Sequence, residues 1–206
     1  SNPRTPARSN DWSPAVVAGT DGAVWVAWDG YESGSYNIYA RAVRNNSPGE
    51  LLTVTSSRRY HAHPTLATDR QGRIWLAYDE GPENWGKATG FLLKDGSGWY
   101  QDRTVRSAVQ RYFHTPRLTV DSAGRVWLFA RPRTSSRVPT SLWAAGGKWE
   151  VVGTYYDGDQ WSPLIPVPDS VGRNEGEFGV AATADGRGHV ALVRDQRYYG
   201  GPRFGH

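Results

Sequence analysis

Side chains able to do chemistry are bunched along this sequence. Arg59-Tyr60-His61-Ala62-His63 and Arg111-Tyr112-Phe113-His114 each bring a guanidinium, a phenol and an imidazole together; Arg173, Glu175 and Glu177 form a third group, and Asp11-Trp12 a smaller one. Between them come Asp29 with Tyr31, Asp79-Glu80 with Trp85, Arg131 with Arg133, and Arg194-Asp195. Arg59 and Arg111 suit a carboxylate, sulfate or phosphate, because the guanidinium fork donates two parallel hydrogen bonds to such a group. A pair of carboxylates is what a glycosidase uses to protonate a leaving oxygen and to raise a nucleophile. Glu177 and Glu80 are the candidate acids or bases here, with Tyr60 and Tyr112 beside them. Arg59, His61, Arg111, His114, Asp29, Asp79, Arg131, Glu175 and Trp85 are the candidate ligand-holding residues. In an extended segment His61 and His63 lie on one side, and with His114 they are the nearest approach to a metal site. No carboxylate accompanies them at tight spacing, so neither a metal nor another cofactor is expected.

What positions these groups is an internal repeat. WSPAVVAGTDGAVWVAWDG (12–30) aligns with AHPTLATDRQGRIWLAYDE (62–80) and with HTPRLTVDSAGRVWLFARP (114–132), and each copy runs eleven residues from Pro to Trp. Trp25, Trp75 and Trp127 follow one another at intervals of 50 and 52 residues. A weaker copy, FGVAATADGRGHVALVRDQ (178–196), sets Gly188 against Gly72 and Ala191 where the Trp stands. Each copy is a short apolar run, a Gly-bearing turn and a β-branched or aromatic run, which is a hairpin. Gly22, Gly72, Gly124 and Gly188 fall at one register, as expected of a turn with positive φ.

Two more strand-like runs follow each hairpin, so the expectation is all-β: a β-propeller with four-stranded blades of about 50 residues, since radial repetition hides sheet edges. A stacked β-solenoid is the competing architecture, and no 3.6-residue period supports helices. The blades span about 11–56, 60–106, 112–168 and an incomplete 175–206, a partial propeller of about three and a half blades within 1–206. Three blades and the first hairpin of a fourth do not close a ring, so a piece of a longer chain, or an open arc completed by another chain, is expected. The repeating indoles should be inter-blade core.

Composition agrees. Gly (24) and Pro (13) are abundant among 206 residues, with 10 Trp and 11 Tyr, which favours turns and strands over long helices. The net charge of +4 is spread along the chain rather than gathered into a basic stripe, so no nucleic-acid partner is expected. Of the 24 basic residues only Lys87, Lys94 and Lys148 are lysines. No apolar run is long enough to cross a membrane as a helix, and no membrane partner is expected. The absence of Cys excludes disulfides and cysteine nucleophiles and leaves the compartment open.

Blade geometry then sorts the faces. The Gly-bearing turns lie on one face and look structural. The crossings into each blade and the second-to-third-strand loops share the opposite face, so the charged and aromatic clusters gather at one mouth, suited to a polysaccharide or a small anionic ligand.

Written out, the repeat PxLxxDxxGRxWLAxD resembles those of bacterial sialidase-like propellers. The Asp-box of that superfamily, Ser-x-Asp-x-Gly-x-x-Trp, is not met, because VDSAGRVW (120–127) and TDRQGRIW (68–75) hold Asp and Gly three apart. Its arginine triad and Tyr/Glu nucleophile are therefore carried onto no residue here. Residues 12–43, 63–87 and 154–176 resemble more closely the propeller region that precedes metal-dependent phosphoesterase-like domains of the PHP type in exported bacterial proteins. That resemblance implies a periplasmic or extracellular place, adjoining domains as partners, and a non-catalytic module that binds a glycan or anionic ligand or scaffolds its neighbour. The alternatives are a sialidase-like glycoside hydrolase or polysaccharide lyase acting on an acidic saccharide, and a protein-interaction platform.

Overall fold

The computed structural model describes residues 10–81, 88–102, 113–132, 151–168, 170, 175–183, 185 and 187–194. Among these residues the elements are all β-strands. β1 (Asn10–Ala18), β2 (Val24–Glu32), β3 (Ser35–Arg44), β4 (Ser47–Pro48) and β5 (Leu52–Thr53) make the first sheet. The second comprises β6 (Tyr60–Thr68), β7 (Ile74–Gly81), β8 (Ala88–Asp95) and β9 (Gly98–Tyr100). β10 (Phe113–Val120), β11 (Val126–Pro132), β12 (Val152–Tyr156) and β13 (Ile165–Pro166) form the third, and the hairpin β14 (Glu175–Ala182) and β15 (Gly188–Arg194) the fourth. All pairings are antiparallel and, apart from β5, which pairs with β3, follow chain order; β1, β6, β10 and β14 pack in succession. This is a multi-bladed propeller with those four strands innermost.

Apolar side chains fill the space between consecutive sheets. Trp25, Ile38 and Ala40 meet Leu66, Ile74, Leu76 and Tyr78; Trp75 and Leu93 meet Phe113, Leu118, Leu128 and Tyr156; Phe129 and Val151 meet Phe178. Trp75 is wholly buried, with the rings of Tyr156 and Trp161 centred 5.4 and 6.3 Å away. Trp25 stands edge-on to Trp99 of the next sheet at 6.1 Å. The repeating indoles are thus wedges between blades.

The inner-hairpin turn explains why Asp and Trp recur six apart. Asp69 Oδ1 accepts the N–H groups of Gln71 (3.0 Å) and Arg73 (2.9 Å), and Oδ2 accepts Arg73 Nε (2.7 Å) and the Trp75 indole N–H (2.8 Å). Asp121 repeats this with Arg125 N (2.9 Å), Arg125 Nε (2.7 Å) and Trp127 Nε1 (2.9 Å). One buried carboxylate therefore closes the turn and fixes the wedge. Gly124 has φ 83° and lies against the preceding blade: a Cβ there would come within 2.3 Å of Arg70 Cδ.

The fourth copy sits in a different register from the one its glycine implied. Thr183 N donates to Arg187 O at 2.9 Å, as Asp69 N does to Arg73 O at 3.0 Å, so Gly188 opens β15 rather than closing the turn. His189 pairs with Ala181 as Trp75 pairs with Ala67, and it is His189 that stands at the indole position, not Ala191. The Gly-rich stretch offers two alignments by residue type, and the backbone closure chooses between them.

Candidate functional site at the propeller mouth

Each of the first three inner strands is interrupted at the same point. Pairing shifts register between Trp12 and Ala15, Ala62 and Thr65, and His114 and Arg117. Inside the shifts Ser13, His63 and Thr115 take left-handed backbone conformations, with φ of 49°, 53° and 53°. Each precedes a proline, Pro14, Pro64 or Pro116, which has no N–H to lose from the ladder. β14 has its own shift between Glu175 and Glu177, with Phe178 in the proline's place. Counted back from the hairpin pairs, Ser13, His63, Thr115 and Glu177 occupy one level on four neighbouring inner strands.

A relay of polar contacts joins these bulges from blade to blade. The Ser13 hydroxyl bonds Asp29, whose Oδ1 also accepts the His63 backbone N–H at 3.0 Å. Asp79 Oδ2 accepts the imidazole Nδ1–H of His63 at 2.8 Å, and its Oδ1 accepts Thr115 N–H at 2.8 Å. Arg131 stands at the register of Asp29 and Asp79 one blade further on, and its guanidinium donates to Thr115 Oγ1. Asp29 and Asp79 are only 2% and 3% exposed, so these carboxylates are stitches behind the mouth as well as charges near it. A bulged strand leaves backbone N–H groups without ladder partners, and an acid reaching across from the preceding blade satisfies them.

The electrostatics follow from this relay. The hydrogen bond to Asp79 raises the imidazole of His63 above its ordinary value; burial opposes that, the Asp79 and Asp29 charges add to it, and Arg117 works against it. Burial raises Asp29 above the usual carboxylate range, against the His63 N–H and charge. His61 is lowered, chiefly by burial, with Glu80 opposing and Arg59 assisting. Tyr60 is pushed well above the normal phenol range by burial and by the charges of Asp79 and Asp29, which keeps its O–H protonated.

The structure separates the two histidines that extended alternation sets side by side. His61, 5% exposed, faces Asn37 Oδ1 (Nδ1 at 3.4 Å) and the Tyr78 ring (5.5 Å), whereas His63 bonds Asp79. The left-handed φ at His63 breaks the period-two pattern that would have aligned them. His114 pairs with Arg131 on the ladder, and among the described residues no three His, Asp or Glu side chains converge as a metal site would require. Arg59 and Glu80 form an ion pair at 3.2 Å, with the Arg59 side chain 55% and Glu80 12% exposed. Glu175 and Glu177 are placed by their backbone in β14. Trp85, Arg111 and Tyr112 lie outside the described residues.

One feature was not legible in the clusters. Five rings run in series along the mouth: Trp12 to Tyr36 (5.7 Å), Tyr31 to Tyr36 (4.9 Å), Tyr36 to Tyr60 (5.2 Å) and Tyr60 to His63 (6.4 Å). Trp12 and Tyr31 are exposed at the outer end. Tyr36 is the hub, and its only sequence signal is that a hairpin places it opposite Tyr31. The opposite face carries a cleft of about 260 Å³ between the turns of the first two blades, lined by Asp21, Arg73, Lys94 and Asp95.

No family profile matches the chain, and no curated protein is similar to it. Solved structures do share its architecture. A protein of unknown function from Dyadobacter fermentans superposes with TM-score 0.62 at 13% identity, over 92% of this chain and 58% of that one. A Hadza microbial sialidase gives 0.57 at 11%, over 82% and 39%, and a family 117 glycoside hydrolase from the marine bacterium Zobellia galactanivorans 0.55 at 12%, over 94% and 70%. The shared feature is the fold. This chain spans less than two thirds of the first two of those proteins. The expectation of a module without catalytic activity is overturned on this point: its propeller is of the kind that glycoside hydrolases use, and it is compatible with catalysis.

Proposed function

We propose that the chain belongs to a glycoside-processing propeller that binds and cleaves an acidic saccharide at the mouth. The observation that carries this is the ring series from Trp12 to His63, which leads from an exposed aromatic edge to a charged inner level. Aromatic faces suit the C–H faces of sugar rings, and Arg59 and Arg117 supply cations for a carboxylate beside them. Glu177, at the level of His63, and Glu80, held by Arg59, are the carboxylates offered for acid or base work; Tyr60 assists, and Tyr112 and Arg111 are their counterparts one repeat later. A polymeric substrate of this kind goes with a periplasmic or extracellular place. Adjoining domains, including one of the PHP phosphoesterase type, would receive or modify what the mouth holds, and the flanking sequence tests that company.

The functional test is release of reducing ends or unsaturated products from polyuronates and sialylated oligosaccharides by the full-length protein, alongside calorimetric titration. At least one of Glu177→Gln and Glu80→Gln should lower kcat by about 10²–10⁴. Wild-type protein that neither binds nor cleaves any member of the panel would end this reading.

A further inference from the structure

We infer that His63 is the general acid of the mouth, donating its Nε2 proton to the departing oxygen of the saccharide, with Asp79 as its positioning residue. The inference rests on the saccharide reading above and adds a residue and a proton path to it.

Three observations set His63 apart from Ser13 and Thr115, which share its backbone. Its ring alone among the three carries a titratable proton, and Nδ1 is engaged by a buried carboxylate at 2.8 Å, which fixes the tautomer and leaves Nε2 as the nitrogen for a ligand. Its side chain is 44% exposed while Asp79 is 5%, so the dyad has a wet end and a dry end. It terminates the ring series, 6.4 Å from Tyr60, so a sugar lying along those rings arrives at the imidazole. The charged and titratable groups acting on it are Asp79 of its own blade, Asp29 of the preceding blade and Arg117 of the following one, with the Tyr60 ring alongside. The hydrogen bond to Asp79, against burial, shifts the imidazole toward its protonated form, the form in which Nε2 carries a proton to give. His61, two residues away, is shifted in the opposite direction, chiefly by burial.

The step balances without another reagent. The bond between the anomeric carbon and the leaving oxygen breaks, its electron pair goes to that oxygen, and the oxygen takes the Nε2 proton, leaving neutral imidazole. Water adds to the anomeric carbon and gives its proton to a mouth carboxylate, for which Glu177 is the candidate. Exchange with solvent then restores both groups.

The test uses the full-length protein and the polyuronate and sialoside panel. His63→Ala should lower kcat by about 10²-fold or more with KM changed less than about threefold, and added imidazole should restore part of the rate. His63→Gln, which keeps a donor for Asp79 but has no titrating proton, guards against a folding defect. It should fold as wild type, by circular dichroism, and lose the alkaline limb of the pH–rate profile. Asp79→Asn should move that limb to lower pH. Unchanged kcat in either His63 variant, or a loss confined to KM, overturns the inference while leaving saccharide cleavage standing. An inactive, non-binding wild type overturns both.

Discussion

The two faces of the propeller are both tied down by aspartates, and the ties differ. On the turn face Asp69 and Asp121 each serve their own blade, accepting from the turn backbone, an arginine and the wedge indole. At the mouth Asp29 and Asp79 reach the next blade, and each also bonds the bulge residue of its own. An acid surrounded by donors is a structural part, whereas an acid that shares its charge with a half-exposed imidazole also sets the protonation of a neighbour. The difference in partner, not in residue type, separates architecture from chemistry here.

Removing a stitch is the strongest way to probe the comparison. Asp69→Ala leaves a buried indole N–H and turn amides without an acceptor and should cost about 3 kcal/mol or more, read from the urea midpoint. Asp79→Ala should cost about 2 kcal/mol by orphaning Thr115 N–H, whereas Asp79→Asn retains an acceptor and should cost less. Equal losses in the two Asp79 variants would mean that charge, not the stitch, holds the mouth.

Next comes Gly124→Ala, which forces a side chain into a left-handed backbone against Arg70 and should cost about 1–2 kcal/mol. A neutral result would show that the turn face yields.

The faces should also part company with pH. His63 is raised, so its contribution is fully present below the ordinary imidazole range and is lost as pH rises through the raised value. Asp29, raised by burial, likewise favours the folded state at lower pH. Burial works against Asp121, but hydrogen bonds from Trp127 and Arg125 outweigh it and lower the group, so its contribution is present above the ordinary carboxylate range and lost as pH falls through the lowered value. Hydrogen exchange should therefore show Thr115 N–H loosening on the alkaline side and Arg125 N–H on the acid side. The reverse order would undo the assignment of the two kinds of tie.

The smallest effect is expected at the rim. Trp12→Ala should change stability by no more than about 0.5 kcal/mol, and calorimetry should show saccharide affinity falling by up to about tenfold. Unaltered affinity would remove Trp12 from the binding face.

Much of the fold was legible in the chain itself. The spacing of Pro, Gly and Trp marks hairpins, and a period near 50 residues fits no helical repeat, because turn chemistry and strand alternation are local properties carried by residue type. The three strong copies align correctly for that reason. The fourth failed by two residues because it lacks the Trp, and a glycine alone cannot choose a register. Asp29, Asp79 and Arg131 could be picked out as polar groups near a mouth, but not as a relay, since their partners lie 34 to 36 residues away or across a bulge.

The sequence by itself determined the repeat, the glycines of the first three turns and the inter-blade wedges, all of which follow from neighbours along the chain. Only the tertiary structure decided that His61 is buried and His63 bears a carboxylate, because the bulge that begins at His63 breaks the alternation. It also decided that Trp12, Tyr31, Tyr36 and Tyr60 form one series, since rings from four strands and two blades meet only once the sheets are packed.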